Sequence, residues 1–549
     1  MLDDLDLTGI QDERARTLII RLLNLLETVS SDLRSAQEEI QRLRDENNRL
    51  KGEQGKPEIK PATPSPSPDH SSERERRRPV ERGKRSKRDT IHVDREQTLR
   101  VDPTLLPPDA EFKGYEEVVV QDLLIRTDNV LFRKEVFYAR STRESYRAPL
   151  PAGYSGEFGP GIKALALVLY FGCLMSEAKI CELFTNVGVE ICEGTVSNLL
   201  IKDHHAFHTE QHTVLQAGLA SAPWQQIDDT ATRVNGTNHY CQIVCNPLYT
   251  AYHTTASKDR LTILDVLRGG APRRFRLNSE ALAYLAPLPL SQATRQGLSA
   301  LPWERDLDTA TLELVLHQHL PSLSDQARKW IYDALAVAAY HAETEWPVVR
   351  LLVCDDAPQW TWLSAELGLC WVHEGRHYKK LTPWIRAHRP ILEQFLTDFW
   401  QFYDALLAYC DAPTRAERER LAAAFDTLFS RKTDYWALNE RIAKTRAKKA
   451  TLLAVLEHPE IPLHNNRAEL AARQRVRKRD VSFGPRTAEG ARAWDTFMSL
   501  ADTTRKLGVS FYHYIHDRIR NAGQVPSLAD LITERAQEGA FGASWAPAP

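Results

Sequence analysis

The chain has 549 residues, 42% of them hydrophobic and 26% charged, which is ordinary for a soluble globular protein of several folding units. Its 71 Lys and Arg against 73 Asp and Glu give a net charge of -2, which excludes a uniformly basic coat but leaves local basic patches open. No apolar run reaches the about 20 residues that cross a bilayer, and the acidic N-terminus has no secretory signal. The eight cysteines form no C-x-x-C pair, so we expect a reducing, cytoplasmic compartment and no membrane partner.

The first predicted element is a long amphipathic helix that covers most of residues 1–52. Its apolar residues recur with a heptad period, which predicts a coiled coil that joins chains into a homodimer or a higher homo-oligomer. The a positions are Ile19, Leu26, Leu33, Ile40 and Asn47, and the d positions include Leu22, Val29 and Leu43. The alternative is an amphipathic helix that folds back onto its own chain.

The next segments differ sharply in composition. Residues 53–94 are rich in Pro and Ser and then in Arg, which predicts a disordered basic linker, either a phosphate-binding arm or a solvated tether. Residues 95–160 alternate apolar and charged side chains, which predicts a small β-rich unit. Residues 161–222 are predicted to hold two short helices around a turn, similar to a helix-turn-helix DNA-binding region. Many helical hairpins share this pattern, so a purely structural role stays open.

Strand patterns return after this region. Residues 223–269 and 347–510 are predicted to form one α/β core, because short apolar strands there alternate with amphipathic helices. Residues 270–346 read as a helical insertion, and residues 511–549 as a C-terminal tail. An Asn-Gly turn after the first strand favours a hairpin at the start of the core.

Five acidic residues of this core are candidates for chemistry. Asp228 and Asp229 end the first predicted strand, Asp355 and Asp356 end a later one, and Glu469 lies on a predicted helix. Carboxylates at the carboxyl ends of neighbouring strands face the crevice where ligands bind, and oxygen ligands suit Mg²⁺. The alternative is that an Asp after a strand caps a helix or stabilises a turn.

At these acids the sequence resembles the DDE transposases of the insertion-sequence sixty-six family, over about residues 148–507. The run IDDTATRVNG places Asp228 at the first acidic position of that family. The run LLVCDDAPQW, which precedes LCWVHEGRHYKKL, points to Asp355, with Asp356 as a close rival. The run HNNRAELAARQRVRKRDVSFG provides the third acid, Glu469.

The resemblance implies an α/β fold with an RNase H-like catalytic core, preceded by the coiled coil and the helix-turn-helix-like region. It implies cleavage at the ends of a mobile element and strand transfer into target DNA, in the bacterial cytoplasm at the nucleoid. Two Mg²⁺ ions, with Mn²⁺ as an alternative, would bind Asp228, Asp355 and Glu469, and Asp229 and Asp356 are alternate ligands. The competing readings are an inactive DNA-binding or scaffold descendant, and a nuclease that cuts without joining.

Two basic groups beside the acids are expected to contact DNA, because cationic side chains neutralise phosphates. The group around Glu469 is Asn465, Asn466, Arg473, Arg475, Arg477, Lys478 and Arg479. The group in the Cys-Trp-x-His segment is His373, Arg376, Lys379 and Lys380. The second group could equally be the start of a surface helix, with His373 a core histidine. The family's Cys-rich zinc unit has no counterpart here, since residues 94–154 contain no cysteine.

Overall fold

The structure is a computed structural model that describes residues 12–50 and 91–539. Most of the basic linker predicted over 53–94 therefore lies outside the described residues. The helices are α1 (Glu13–Leu50), α2 (Pro160–Leu167), α3 (Glu177–Asn186), α4 (Glu193–Ile201), α5 (His205–Ala220), α6 (Arg260–Leu267), α7 (Ser279–Leu285), α8 (Gln292–Leu298), α9 (Thr309–His319), α10 (Asp325–His341), α11 (Trp371–Lys379), α12 (His388–Asp411), α13 (Arg415–Leu428), α14 (Trp436–Ala447), α15 (Lys449–Leu452), α16 (Asn466–Ser482), α17 (Ala488–Lys506), α18 (Phe511–Arg520) and α19 (Leu528–Glu538). The strands are β1 (Val136–Ala139), β2 (Glu144–Arg147), β3 (Trp224–Val234), β4 (Thr237–Cys245), β5 (Thr250–Thr255), β6 (Phe275–Arg276), β7 (Asp306–Leu307), β8 (Leu351–Cys354) and β9 (Glu366–Leu369).

A five-stranded mixed sheet in the order β5-β4-β3-β8-β9 forms the centre of the fold. β3, β4 and β5 are an antiparallel meander, and β8 and β9 continue the sheet in parallel with β3. The β3–β4 turn places Asn235 and Gly236 at positive φ, as the Asn-Gly pair predicts. This α/β arrangement is compatible with the RNase H-like core that the resemblance implies.

Two helical bodies interrupt the chain between the strands and α16. Residues 270–346 form α7 to α10 with the small β6–β7 pair, so the predicted helical insertion is helical, and its α10 packs on α6. A second body, α12 to α14, follows α11 and packs around a separate apolar cluster that includes Trp371, Phe399 and Phe425. The sequence analysis predicted these helices but grouped them with the core.

The two helices of the helix-turn-helix-like region are present as α3 and α4. Gly188, at φ +81, lies in the turn between them. The DNA-binding role of this pair stays a prediction. The expected C-terminal tail over 511–549 is wrong as far as the described residues go, because α18 packs on α2 and α19 packs on α5. The apolar side chains Tyr514, Ile515 and Leu528 are buried in the main core, which fixes both helices.

The predicted β-rich unit over 95–160 is reduced to one hairpin, β1–β2. Before this hairpin, residues 91–135 form no helix or strand longer than a single 3-10 turn at Pro103–Leu105. The apolar residues of this stretch stay exposed, with Leu124 at 83%. The alternation of apolar and charged residues fits a strand, but a sheet also needs a layer to pack against, and the described residues supply none here.

α1 docks on the second helical body through one narrow face. Asn24 Nδ2 donates to the Asp434 carbonyl at 2.9 Å, and the Trp436 N–H donates to Asn24 Oδ1 at 2.9 Å, so Asn24 binds the start of α14. Glu27 Oε2 lies 2.5 Å from His388 Nδ1 at the start of α12. The helix therefore does fold back onto its own chain, which was the alternative reading.

The heptad residues of α1 face away from this contact. At about 100° per residue, Leu26 and Leu33 lie roughly opposite Asn24 and Glu27. Leu26 is 51% exposed and Leu33 59%, and Val29 on the same stripe is 63% exposed. Docking thus leaves the predicted coiled-coil stripe unburied. Among the residues described, no helix combines the length and the apolar character that crossing a membrane requires.

We expect Asn24→Ala to loosen α1, because it removes both hydrogen bonds between this buried side chain and the backbone at the start of α14. Hydrogen–deuterium exchange of the α1 amides should become faster by roughly fivefold or more, while the sheet stays unchanged. Arg21→Ala, at an exposed position of the same helix, is the control. Unchanged exchange in Asn24→Ala would show that the docking contact does not hold the helix.

Candidate active site

Three predicted acids converge at one edge of the central sheet. Asp228 lies on β3, Asp355 directly follows β8, and Glu469 lies in the first turn of α16. β3 and β8 run parallel and pair as far as Gln226 and Val353, so their following residues lie at the same end. The sequence analysis predicted that this strand ends at Asp228 and Asp229, but β3 does not stop there. It continues to Val234 because β4 pairs with it from Gln226 to Val234.

Two buried amide side chains fix α16 over β3. Asn465 Nδ2 donates to the Ile227 carbonyl at 2.7 Å, next to Asp228 in the chain. Gln226 Nε2 donates to the His464 carbonyl at 2.8 Å. Because these bonds join the start of the helix to the strand at Gln226 and Ile227, directly before Asp228, they place Glu469 near Asp228.

The environment of Asp228 disfavours its charged form. Burial, together with the negative charges of Asp355, Glu469 and Asp229, raises the pKa of Asp228 from 3.8 to about 7. The Asp229 N–H donates to Asp228 Oδ1 at 2.9 Å, which opposes part of this rise. A strongly perturbed carboxyl among other carboxyls is typical of a functional site.

The second acid of each Asp pair is engaged elsewhere. Asp229 lies 3.4 Å from Lys258 Nζ and accepts a hydrogen bond from Gln359 Nε2 at 3.1 Å. Asp356 pairs with Lys448, which also lies 3.0 Å from Glu374. These partners favour Asp228 and Asp355 as the members of the site.

Asp355 is held by the loop that follows β8. Its Oδ1 accepts from the Trp360 indole N–H at 2.5 Å and from the Ala357 N–H at 3.1 Å. Arg260 fixes the same loop from α6, because it donates to the Thr361 carbonyl at 2.7 Å and pairs with Asp333 of α10 at 2.6 Å. Sequence reasoning missed Arg260, and an isolated Arg in a helix carries no motif that could have indicated it.

Glu469 is surrounded by cationic groups on one oxygen and left unpaired on the other. Arg376 Nη2 lies 3.2 Å and Arg473 Nη2 4.0 Å from Oε2. Glu469 Oε1 is buried without a hydrogen-bond partner, and so is His373 Nδ1, 3.7 Å away. A buried polar atom without a partner costs about 1–3 kcal/mol, so something outside this chain is expected to satisfy it.

These observations fit a divalent cation. Asp228, Asp355 and Glu469 offer the oxygen ligands that Mg²⁺ prefers, and a cation would relieve both the unpaired Glu469 oxygen and the raised pKa of Asp228. A softer set overlaps it, since one ligand atom each of Cys370, His373 and Glu469 lie within 4.8 Å of one another. Sequence reasoning did not propose Cys370 as a ligand. The Cys-Trp-x-His spacing was the signal for it.

The residues expected to contact DNA divide into two sets. Those with exposed or half-exposed side chains are Arg473, Arg477, Arg479, Asn466, His373, Arg376, Lys379 and Lys380. These lie on α11 and α16 or next to them, on the two helices that carry the groups around Glu469. Their DNA contacts stay a prediction.

The expectation is wrong for three buried residues. Arg475 pairs with Asp495 at 3.1 Å beneath the sheet, and Asn465 is used to join α16 to β3. Lys478 Nζ lies 3.0 Å from the ring centre of Tyr170, and burial lowers the pKa of Lys478 to about 6. Side chains spaced three and four apart share one face of a helix, so the basic run is split between core and surface.

Comparison with known proteins assigns the chain to a family. Residues 343–493 match the Transposase IS66 family, a range that includes Asp355 and Glu469. The chain is also 33% identical over 334 residues to the "Uncharacterized protein y4jO" of Sinorhizobium fredii (strain NBRC 101917 / NGR234), across 59% of this chain and 100% of that protein. The chain therefore belongs to the IS66 transposase family.

Proposed function

We propose that this protein is a DDE transposase that cuts the ends of its element and joins them to target DNA. The observation that carries the proposal is the convergence of Asp228, Asp355 and Glu469 from β3, β8 and α16, with the pKa of Asp228 raised to about 7. The three acids lie far apart in the chain, and bringing their negative charges together costs electrostatic free energy. A purely structural role would not require this cost.

The three carboxylates would hold two divalent cations, Mg²⁺ or Mn²⁺, which when bound stabilise the attacking and leaving oxygens of an in-line phosphoryl displacement. The chain's own residues orient these ligands. Asn465 and Gln226 fix the helix of Glu469, and Trp360 fixes the carboxylate of Asp355. Such positioning, with charge neutralisation, is most of what phosphoryl transfer asks of a protein.

DNA would reach this site along the exposed faces of α11 and α16. Arg473 and Arg477 lie one and two turns beyond Glu469 on the outer side of α16, and both side chains are exposed. Lys379 and Lys380 are exposed at the end of α11. Cations spaced along two helices beside the acids suit the regularly spaced phosphates of a duplex.

The first test compares the three proposed ligands with their neighbours. We expect Asp228→Ala, Asp355→Ala and Glu469→Ala each to lower Mg²⁺-dependent cleavage of a duplex carrying the DNA end that flanks the gene by at least about a thousandfold. Asp229→Ala and Asp356→Ala are the matched controls, because their carboxylates pair with Lys258 and Lys448. They should retain cleavage within about tenfold.

The same assay separates the alternatives. Joining of the cut end to a second duplex supports a transposase, whereas cutting without joining identifies a nuclease. Binding without cutting in the unaltered protein identifies a DNA-binding scaffold. Normal cleavage by all three ligand variants would remove the proposed site altogether.

A second test reads metal binding without activity. The pKa of Asp228 is raised, so the metal-free fold is favoured by the protonated carboxyl and loses this stability as pH rises from about 4 through about 7. Asp228→Asn keeps the size of the side chain and removes the charge. Its melting temperature without metal, near pH 8, should exceed the wild type's by roughly 2–4 °C, and the gap should close towards pH 4.

Mg²⁺ should raise the melting temperature of the wild type by mass action but leave that of Asp228→Asn nearly unchanged. Asp229→Asn is the control, and it should respond to Mg²⁺ as the wild type does, because Lys258 lies beside it. Equal Mg²⁺ responses in Asp228→Asn and wild type would exclude Asp228 as a ligand.

Assembly through α1 is the third part of the proposal. The apolar stripe of α1 is exposed while its opposite face is docked, so a second copy of α1 can pair with it without undocking either helix. Leu26→Asp with Leu33→Asp would place charges in that seam.

We expect light scattering to give a dimer or larger oligomer for the wild type and a monomer for this double variant. Arg21→Asp with Ser35→Asp alters exposed residues outside the a and d positions and should leave the mass unchanged. A wild type that is monomeric at assay concentrations would rule out the coiled coil.

A further inference from the structure

The end of α16 presents an aromatic side chain that the fold does not use. Phe483 caps the helix with φ 59 and ψ 11, in the left-handed region, and its side chain is 90% exposed. A bulky residue rarely adopts positive φ, and here no burial of the ring offsets the strain. A strained and exposed aromatic residue points to a ligand that stacks on it.

The backbone around Phe483 is fixed. Its N–H donates to the Arg479 carbonyl at 2.7 Å. Gly484 follows at φ +86, and a Cβ there would lie 2.8 Å from the Arg233 carbonyl, so only glycine allows this close approach to the β3–β4 hairpin. The Asn235 N–H in the turn of that hairpin donates to the Pro485 carbonyl at 3.0 Å. The ring therefore projects from a rigid part of the backbone and not from a flexible loop.

Three exposed arginines, Arg233, Arg477 and Arg486, lie near Phe483 in the chain or across the hairpin contact. Asp480 in the same turn lies 3.5 Å from Arg479 and is partly neutralised. An apolar protein partner would gain little from three exposed guanidinium groups, whereas a nucleic acid would contribute both the phosphates and the base face.

We propose that Phe483 is a base-stacking residue, which inserts against an unpaired or unstacked nucleobase of the bound DNA end. The inference rests on the proposed function, since it requires DNA along α16. Aromatic side chains stack on the faces of nucleobases, and Phe is among the side chains that enter opened base steps.

The helix sets the position of that base. Ser482 follows Glu469 by 13 positions on α16, which at 1.5 Å per residue is roughly 20 Å. At about 3.4 Å per base pair this corresponds to about six base pairs from the bond that is cut. The stacked base is thus outside the metal site, in the DNA that the exposed face of α16 follows.

The test is a mismatch scan on the fluorescein-labelled end duplex, with Ca²⁺ in place of Mg²⁺ to prevent cutting. Each outer position is mismatched in turn, and the dissociation constant is measured. Near the sixth base pair a mismatch should strengthen wild-type binding by roughly fivefold or more, because the cost of opening the pair has been removed.

Phe483→Ala should bind the matched duplex at least about fivefold more weakly and should show a flat mismatch profile, while Phe483→Trp should restore both. The control is Val481→Ala, an exposed apolar residue of the same turn that should behave as the wild type. If Phe483→Ala keeps the wild-type profile, or the wild type itself gives a flat one, base stacking is disproved.

The two proposals fail in different ways. A wild type that cuts the end duplex but shows a flat profile overturns the stacking role alone. A wild type that neither binds the end duplex in preference to other DNA nor cuts it overturns both the proposed function and the stacking role. A smaller mass of Phe483→Ala in light scattering, with an unchanged DNA profile, would identify Phe483 as a contact between protein chains and refute the proposal.

Discussion

Three carboxylates held close together in a poorly solvated place are the constraint around which the central part of this molecule is arranged. Burial disfavours a charged carboxylate, and repulsion between like charges adds to the cost, which is why the pKa of Asp228 rises to about 7. The opposing bonds are those of Asn465 and Gln226, which fasten the start of α16 to β3. Without such bonds the helix end would relax away from the strand and the acids would separate. The parallel pairing of β8 on β3 then supplies the third carboxylate.

How much of this site the sequence predicts depends on how local each signal is. Asp355 and Glu469 stand in short motifs, and the structure places both where those motifs indicate. The orientation of the basic run after Glu469 was not predicted correctly, although the information was present. Ala468, Ala471 and Ala472 form a small-residue face on α16, and continuing that spacing places Arg475 and Lys478 inward. Counting cations without their helical phase produced the error.

Long-range polar contacts explain the other differences. The heptad pattern predicted α1 as a helix, but its docking depends on Asn24 and Glu27 meeting α14 and α12, more than three hundred residues away. Polar complementarity over that separation leaves no periodicity in either segment. The predicted β-rich unit over residues 95–160 is reduced to one hairpin for the opposite reason. Its alternation is a genuine strand pattern, yet no facing layer exists in the described part of this chain to make a sheet of it.

The apolar surfaces that folding leaves exposed have a common physical explanation. The central sheet and its helices bury their apolar side chains, whereas the stripe of α1, the stretch before β1 and Phe483 remain exposed. Apolar surface in contact with water costs free energy in proportion to its area, and a strained backbone adds to that cost. A protein that acts alone would gain stability by losing such features. Under the proposed function, a second protein chain and a DNA end would meet the core at these places, which are the N-terminal segments and the end of the helix that carries Glu469. The isolated chain would then be an incomplete state, and other copies and DNA would cover the surfaces that it leaves exposed.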